Sequence, residues 1–296
     1  MATFIVSNIG DSGAGSLREA IVAANSNPGP DQIGILTAPS QSFTPLAPLP
    51  ELTEDVTFAD GALIINGVLA IGTSVVTFGT VTNVQGLTGL GTASVTTSLT
   101  IEGSASSTFG GVIAGAGSLT KSGVGTLTLS GTNTFAGDLA VQAGAVTLSG
   151  GAALADQSGV TVSAGATLNI ATTENIGSIA GSGTISLAAG TVLRTGYDYA
   201  STTFSGAIDG AGSLVKAGTG TLTLSSFGTY QGGTEVNSGT LSIASDANLG
   251  SGTVTLANGA TLAVTGATTI DNAITLSGAA TYDGAAAQTL SGVISG

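Results

Sequence analysis

The chain has 296 residues, including 48 glycines, and it carries a formal net charge of −13, with 4 Lys or Arg, 17 Asp or Glu, and no Cys or His. The missing cysteines and histidines exclude disulfides, thiolate and imidazole metal sites, cysteine nucleophiles and Ser-His-Asp catalysis. The acidic balance disfavours nucleic acids and anionic membrane surfaces as partners. Ser, Thr or Gly interrupts every long apolar run, so no transmembrane helix is predicted.

The N-terminal region predicts one strand and one short helix. Residues 3–6 have the composition of an opening strand. Ser16 and Glu19 have the spacing of a capping box, and four apolar residues then follow at helical spacing: Leu17, Ala20, Ile21 and Ala24. Residues 27–30, Asn-Pro-Gly-Pro, end the run. We expect this helix to cover the open end of the first coil; the alternative is an ordinary surface helix.

Short strand patterns resume after the helix. Residues 33–36 predict the next strand, whereas residues 37–50 hold 4 of the 6 prolines and predict an irregular wall or loop. Strand patterning returns at residues 56–58 and 63–65. Because the composition and the strand pattern barely change afterwards, we divide the chain into a cap with the first coils (1–59) and a repetitive region (60–296).

Two copies of one motif organise the repetitive region. Residues 113–131 and 208–226 agree at 14 of 19 positions, and the agreement continues at wider spacing to residues 148 and 243. A third copy begins at residues 289–296, which match 108–115 and 203–210. Because the last residue falls inside a repeat, we expect the chain to be a segment of a longer protein, truncated at its C-terminal end.

The repeats consist of short apolar–polar–apolar triplets, which have the period of a strand. Nine such triplets occupy residues 127–129, 146–148, 160–162, 168–170, 185–187, 222–224, 241–243, 254–256 and 262–264. Strands of about 3 to 5 residues are too short to be stable alone, so stacked coils of a parallel β-helix must bury them. Collagen is excluded because no Gly-X-Y period exists, and disorder is disfavoured because aliphatic residues are plentiful and only 7% of residues are charged.

Residues 117–148, GSLTKSGVGTLTLSGTNTFAGDLAVQAGAVTL, closely resemble the passenger-associated transport repeat, also called the autotransporter-associated β-strand repeat. The second copy keeps most of the pattern but has Ser226-Phe227-Gly228 in place of Gly-x-Asn. The shared positions are Lys121, Gly123, Gly125, Asn133, Phe135 and Gly144 in copy one, and Lys216, Gly218, Gly220, Tyr230 and Gly239 in copy two. Residues 8–31 and their sequel at 49–57 resemble the Ser-Leu-Arg-Glu-Ala cap of bacterial surface β-helix proteins.

These resemblances imply a right-handed parallel β-helix from an autotransporter passenger or a related giant surface protein, secreted or held at the surface of a Gram-negative bacterium. In that family the repeat is associated with passage and folding of the passenger, and it brings no catalytic residues. No signal peptide precedes the cap, and the 12 aromatic residues are too few for an outer-membrane barrel. Both observations fit a trimmed passenger.

The charged residues offer little chemistry. Arg18 belongs to the cap and Lys121 and Lys216 occupy equivalent repeat positions, so we expect structural roles for all three. Arg194 with Asp198, Tyr197 and Tyr199 forms a local cluster that is either a sugar-binding patch or, as we favour, a solvated corner. A β-helix polysaccharide lyase or hydrolase needs clustered carboxylates, and Glu54-Asp55 is the only adjacent acidic pair.

Calcium and phosphate sites are also disfavoured. The Gly-Gly-x-Gly-x-Asp nonapeptide is absent, and Asp209 is not part of the repeat because Ala114 takes its place in copy one. The glycine runs lead into strands and therefore lack the helix N-terminus that holds an anion. We predict no catalytic, cofactor-binding or metal-ligating residues.

Our primary hypothesis is therefore a non-enzymatic passenger stalk or adhesin, whose partners are glycans or a host surface. It involves neither nucleic acid nor membrane insertion of this segment. One alternative is a self-assembling fibre or surface-layer-type protein that associates end to end. The other is a carbohydrate-active β-helix enzyme or lectin.

Overall fold

The computed structural model describes residues 1–36, 40–59, 62–79, 82–284 and 288–296, and the chain divides into two compact units, Met1–Val146 and Thr147–Gly296. Both units are parallel β-solenoids, so the predicted fold with one short helix near the N-terminus is confirmed. The right-handed sense stays a prediction. The proposed boundary between residues 59 and 60 also stays a prediction, and residue 60 lies outside the described residues.

Among its described residues, the first unit contains one helix and a series of strands. They are β1 (Thr3–Val6), α1 (Leu17–Asn25), β2 (Asp31–Ile35), β3 (Ser40–Phe43), β4 (Val56–Ala59), β5 (Ala62–Ile71), β6 (Val75–Phe78), β7 (Thr82–Gly89), β8 (Thr92–Val95), β9 (Ser98–Ile101), β10 (Ser107–Phe109), β11 (Val112–Ala114), β12 (Ser118–Lys121), β13 (Thr126–Leu129) and β14 (Leu139–Val141). β15 (Ala145–Leu148) contains the boundary between the units.

The second unit contains strands and one turn of 3₁₀-helix. They are β16 (Val160–Val162), β17 (Thr167–Ile170), β18 (Glu174–Ile176), β19 (Ile179–Gly181), β20 (Thr184–Leu187), β21 (Val192–Thr195), β22 (Thr202–Phe204), β23 (Ala207–Gly210), β24 (Ser213–Lys216), β25 (Thr221–Leu224), β26 (Thr234–Val236), β27 (Thr240–Ile243), a 3₁₀ turn (Asp246–Asn248), β28 (Val254–Ala257), β29 (Thr261–Val264), β30 (Thr269–Ile270), β31 (Ile274–Ser277), β32 (Thr281–Gly284), β33 (Thr289–Leu290) and β34 (Ile294–Ser295).

In the first unit, six parallel strands stack in the order β1-β2-β4-β6-β8-β11. Paired strands lie 29 residues apart at the cap, where Thr3 faces Gln32, and 20 residues apart at the other end of the stack, where Val112 faces Thr92. Alternate residues point inward: Val56 and Phe58 are buried while Thr57 lies between them on the outside. The rings of Phe58 and Phe78 stack with centroids 5.9 Å apart, so successive coils place like residues on one another.

In the second unit, seven parallel strands stack in the order β18-β21-β24-β26-β28-β31-β34. A second ladder runs through β25, β27, β29 and β32. All nine predicted triplets of the chain lie within strands, and both apolar residues of each are buried. Burying one such aliphatic side chain stabilises the fold by about 1.5–3 kcal/mol, which offsets the entropic cost of ordering these short strands.

The helix follows the sequence pattern closely. The Ser16 side chain accepts a hydrogen bond from the Glu19 amide, and Leu17, Ala20, Ile21 and Ala24 are the buried residues of α1. The reciprocal bond of a capping box is shifted by one position, because the Glu19 carboxylate accepts from the Gly15 amide at 2.5 Å. α1 packs on β1 and β2, and β1 is the edge strand of the six-stranded sheet, as expected of a cap.

Two predictions about the first unit are wrong in part. Residues 40–43, which we assigned to an irregular wall, form β3 and pair with β5, because the four prolines flank this stretch without interrupting it; residues 37–39 lie outside the described residues. β5 and β7 have 10 and 8 residues, longer than the expected 3 to 5. A bulge at residues 66–67 lets β5 continue past a glycine that would otherwise mark its end.

Candidate functional site

The repeat motif places one lysine at the same structural position in both copies. Lys121 ends β12 and Lys216 ends β24, and each alternates with an inward leucine of its strand. Both lysine side chains therefore point into the solenoid, and each residue is only 1% exposed. We call the segments 121–125 and 216–220 the Lys–Gly turns.

Each buried ammonium is held by backbone carbonyls of the turn that follows it and, for Lys216, by one carbonyl of the next coil. Lys216 Nζ donates to the carbonyls of Ala217 at 2.5 Å, Gly218 at 2.8 Å and Ser238 at 3.3 Å. Lys121 Nζ donates to the carbonyl of Gly123. Burial lowers the pKa of Lys121 and lowers the pKa of Lys216 to about 8, an effect that Asp198 partly opposes. The expected structural roles of both lysines agree with these contacts.

The motif glycines let successive turns lie in backbone contact. Gly144 and Gly239, at equivalent positions, have φ of +65° and +66°. A Cβ on Gly144 would lie 2.4 Å from the Gly125 carbonyl oxygen, and one on Gly239 would lie 2.5 Å from that of Gly220. Only glycine allows this conformation and this approach together. The repeated glycines are thus explained by the stacking of each Lys–Gly turn against the turn of the following coil.

One pair of buried side chains in the motif is apolar in copy one and carries two hydroxyls in copy two. In copy one the pair is Phe135 and Leu139, both completely buried. In copy two it is Tyr230 and Thr234, whose hydroxyl oxygens lie 2.6 Å apart. The added hydroxyls satisfy each other, so copy two places a hydrogen bond where copy one has two buried apolar side chains. Burial raises the pKa of Tyr230.

Copy two lacks the asparagine of the motif, and an asparagine from the next coil takes over one of its hydrogen bonds. In copy one, Asn133 is buried and its side-chain oxygen accepts from the Ile113 amide at 2.6 Å. Copy two has Gly228 there, and the side chain of Asn248 reaches back to donate to the Ser226 carbonyl at 2.9 Å. The departure from the family pattern therefore leaves the turn with an amide partner from the next coil.

The cap uses its charged residues to join chain segments. Arg18 forms an ion pair with Asp11 at 2.7 Å and donates to the carbonyls of Ala47 and Pro48, both at 2.7 Å. The hydrogen bond from Arg18 holds the pKa of Asp11 below its usual value. Of the adjacent acids, Glu54 accepts from the Gly29 amide and Asp55 from the Val75 amide. These groups are therefore engaged by the fold.

Sequence reasoning missed the buried carboxylate of Glu174 on β18. It faces the interior and is completely buried, and it accepts hydrogen bonds from the amides of Ala153 at 3.1 Å and Leu154 at 2.8 Å. Burial raises its pKa, and the two amides oppose this effect. The signal was an acid at an inward, normally apolar position of a triplet, Glu174-Asn175-Ile176.

The structure separates the local cluster predicted around Arg194. Arg194 lies on the outer face of β21, whereas the Asp198 side chain accepts from the Ala200 amide in the following turn. Tyr199 has a φ of +61° and is 63% exposed. A groove of about 270 Å³ is instead lined by Arg194, Val215, Glu235 and Thr255 from neighbouring strands, without Asp198, Tyr197 or Tyr199. We call this the Arg194 groove.

In the part of the chain that the structure describes, no group of three or more His, Cys, Asp or Glu side chains is arranged to hold a metal ion. Within the same residues, no helix has the length and apolar character needed to cross a membrane.

Comparison with known proteins agrees with the repeat motif. Residues 119–170 and 214–243 match the passenger-associated-transport-repeat. Over 81 residues the chain is 43% identical to the adhesin BmaC autotransporter of Brucella suis biovar 1 (strain 1330). This alignment covers 27% of the present chain and 2% of that much longer protein. No solved structure matches the chain.

Proposed function

We propose, from the passenger-associated-transport repeats that the chain carries, that it is a non-enzymatic segment of a secreted passenger whose repeats promote folding. The observation that carries the proposal is that the fold itself uses the repeat motif. The lysines, the glycines of the turns and the aromatic residues all lie inside the solenoid or in its stacked turns. A motif that served catalysis or binding would present these groups to solvent.

The composition suits a chain that crosses a membrane unfolded and then folds outside. Without cysteines no disulfide obstructs threading, and only 7% of the residues are charged. Each coil contacts mainly its neighbours, so folding can propagate from one coil to the next. Each Lys–Gly turn gives the following coil a preformed backbone surface on which to order.

The similarity to a protein named an adhesin supports placing this segment at the cell surface. Autotransporter passengers are secreted or exposed at the surface of Gram-negative bacteria. We propose that the segment serves there as a passenger stalk that also offers an adhesive face. The outward threonines and serines of the ladders supply a polar surface for such contacts.

Surface display tests the folding role. The chain is expressed in a Gram-negative host between a secretory signal peptide and an outer-membrane barrel, and protease-resistant passenger at the surface is measured. The test variant is Gly144→Ala with Gly239→Ala, whose Cβ atoms would strike the preceding turn. The matched control is Gly165→Ala with Gly259→Ala, which have similar φ of +79° and +78° but no atom within 4 Å of the added Cβ.

We expect the motif variant to give much less folded passenger than the control at equal total expression. Equal amounts of folded passenger in the two variants would contradict a folding role for the motif. Depolymerisation of a polysaccharide by the purified chain would contradict the non-enzymatic assignment.

A further inference from the structure

The Arg194 groove lies on the outer face of the seven-stranded sheet in the second unit. Arg194, Val215, Glu235 and Thr255 are register partners on four successive strands, β21, β24, β26 and β28. At about 4.8 Å per strand, the backbones of Arg194 and Glu235 are roughly 10 Å apart. Val215 lies between them and is only 3% exposed although it faces outward, which is consistent with the two longer side chains rising over it.

The charged groups that flank the groove are not used by the fold. Neither Arg194 nor Glu235 has a hydrogen bond or ion pair within the described residues. The sequence contains only four Lys and Arg, and the other three are engaged: Arg18 with Asp11 and two carbonyls, Lys121 and Lys216 with carbonyls of their turns. Counting only contacts with the described residues, Arg194 is therefore the one Lys or Arg side chain that is free to meet a ligand.

The internal repeat shows that the backbone does not require these residues. In the first unit the equivalent outward row, next to Lys121, consists of Thr100, Thr120 and Ala140. The inward neighbours are similar in both copies, since Leu119 and Lys121 correspond to Leu214 and Lys216. The second unit thus has the same local scaffold with a guanidinium, an apolar floor and a carboxylate placed on it.

We propose that the Arg194 groove binds a carboxylate-bearing sugar, such as a uronic acid unit of a glycan. The Arg194 guanidinium pairs with the sugar carboxylate through two parallel hydrogen bonds. The ring lies on the Arg194 and Glu235 side chains that cover Val215, while Glu235 and Thr255 bond its hydroxyls. The volume of about 270 Å³ fits a single unit of this size better than a drug-sized ligand.

An acidic peptide is the less favoured occupant. Peptides gain much of their affinity for sheets by pairing with a free strand edge. The strands under the groove, β21, β24, β26 and β28, are each paired on both sides, so they offer no such edge. A polyhydroxylated ligand needs only the side chains. The inference goes beyond the proposed passenger role and does not depend on it.

Two sugars that differ only at the carboxylate test the proposal. The folded chain is titrated with methyl α-galactopyranosiduronate and, separately, with methyl α-galactopyranoside, while NMR shifts of backbone amides and methyl groups are recorded. We expect the uronate to perturb Val215 and Thr255 most and to bind at least about tenfold more tightly than the neutral sugar. Shifts elsewhere, no shifts, or equal affinity for both sugars would overturn the assignment.

Three variants and one small anion complete the test. Arg194→Ala should reduce the affinity for the uronate to that for the neutral sugar or below it. Glu235→Ala should weaken the neutral sugar, whose hydroxyls it bonds, more than the uronate, whose charge it repels. Asp209→Ala, which removes an outward acid from a strand in another ladder, should change neither affinity. Uronate binding that survives Arg194→Ala, or acetate that reproduces its shifts and affinity, would overturn the sugar assignment.

Discussion

Replacement of Lys216 by methionine tests the structure through the pH dependence of stability. The lysine has a pKa of about 8 in the fold, against an ordinary value of 10.5. Between these values the unfolded chain binds the proton and the folded chain releases it, so the free energy of unfolding rises with pH. Below about pH 7 this group no longer makes the free energy of unfolding depend on pH, because both states carry the proton.

The magnitude follows from the two pKa values. From pH 7 to 9.5 the linkage relation gives a rise of about 2 kcal/mol, which solvent screening reduces to about 1–2 kcal/mol. Lys216→Met should remove this rise while keeping an unbranched side chain of similar length in the cavity. Lys121→Met should remove a further part, because burial also lowers the pKa of Lys121.

Urea unfolding at pH 7, 8, 9 and 9.5 measures the effect, with native and variant chains compared at each pH. The comparison cancels groups that titrate equally in both chains. An identical pH slope in the native chain and in Lys216→Met would refute the reasoning. It would mean that the three carbonyls hold the ammonium as strongly as water does.

Three further predictions concern the same coils. Gly239→Ala should lower the free energy of unfolding by at least about 2 kcal/mol, whereas Gly165→Ala should lower it by only about 1 kcal/mol. Both glycines have positive φ, but only Gly239 is crowded by the neighbouring turn. Equal losses of stability in urea unfolding would contradict the stacking argument. Tyr230→Phe and Thr234→Val should each lower the free energy of unfolding by about 1–3 kcal/mol. The double variant should lower it by about 1 kcal/mol less than the sum of the two single losses, because the hydroxyls bond each other. Strict additivity would show that the buried hydroxyls do not interact. For Glu174, whose folded pKa is raised, the stability contribution is present below the ordinary value of 4.5 and is lost as pH rises through the folded pKa. The difference in stability between native chain and Glu174→Gln should therefore change with pH in that range, and a constant difference would show that burial does not perturb the carboxyl.

The fold was predictable because its signals are local and repeated. The triplets have strand period, and the cap has both an N-cap at Ser16 and a helical apolar pattern, so neither needs knowledge of distant partners. The bulge in β5 and the strand β3 escaped prediction because they depend on pairing with another coil. Handedness is not encoded in a pattern of apolar positions.

The Arg194 groove was only partly predictable. Arg194 was singled out by its neighbours in sequence, Asp198 and two tyrosines, but its partners in space are Val215 and Glu235. Those residues lie about 20 and 40 positions further along, one and two coils away. Finding them requires the register of the ladder, and the unequal turns between coils hide that register from sequence inspection. The compensation of Asn133 by Asn248 was hidden for the same reason.

Reversible refolding of the purified chain tests most directly the central claim, that these repeats exist to build and stack a β-solenoid. The chain is unfolded in urea, diluted, and followed by far-UV circular dichroism together with amide hydrogen exchange. We predict recovery of a strong β spectrum in a cooperative transition, with protected amides in the strands and Lys–Gly turns of both units. A coil spectrum, or amides that exchange at unfolded rates in the Lys–Gly turns, would contradict the account.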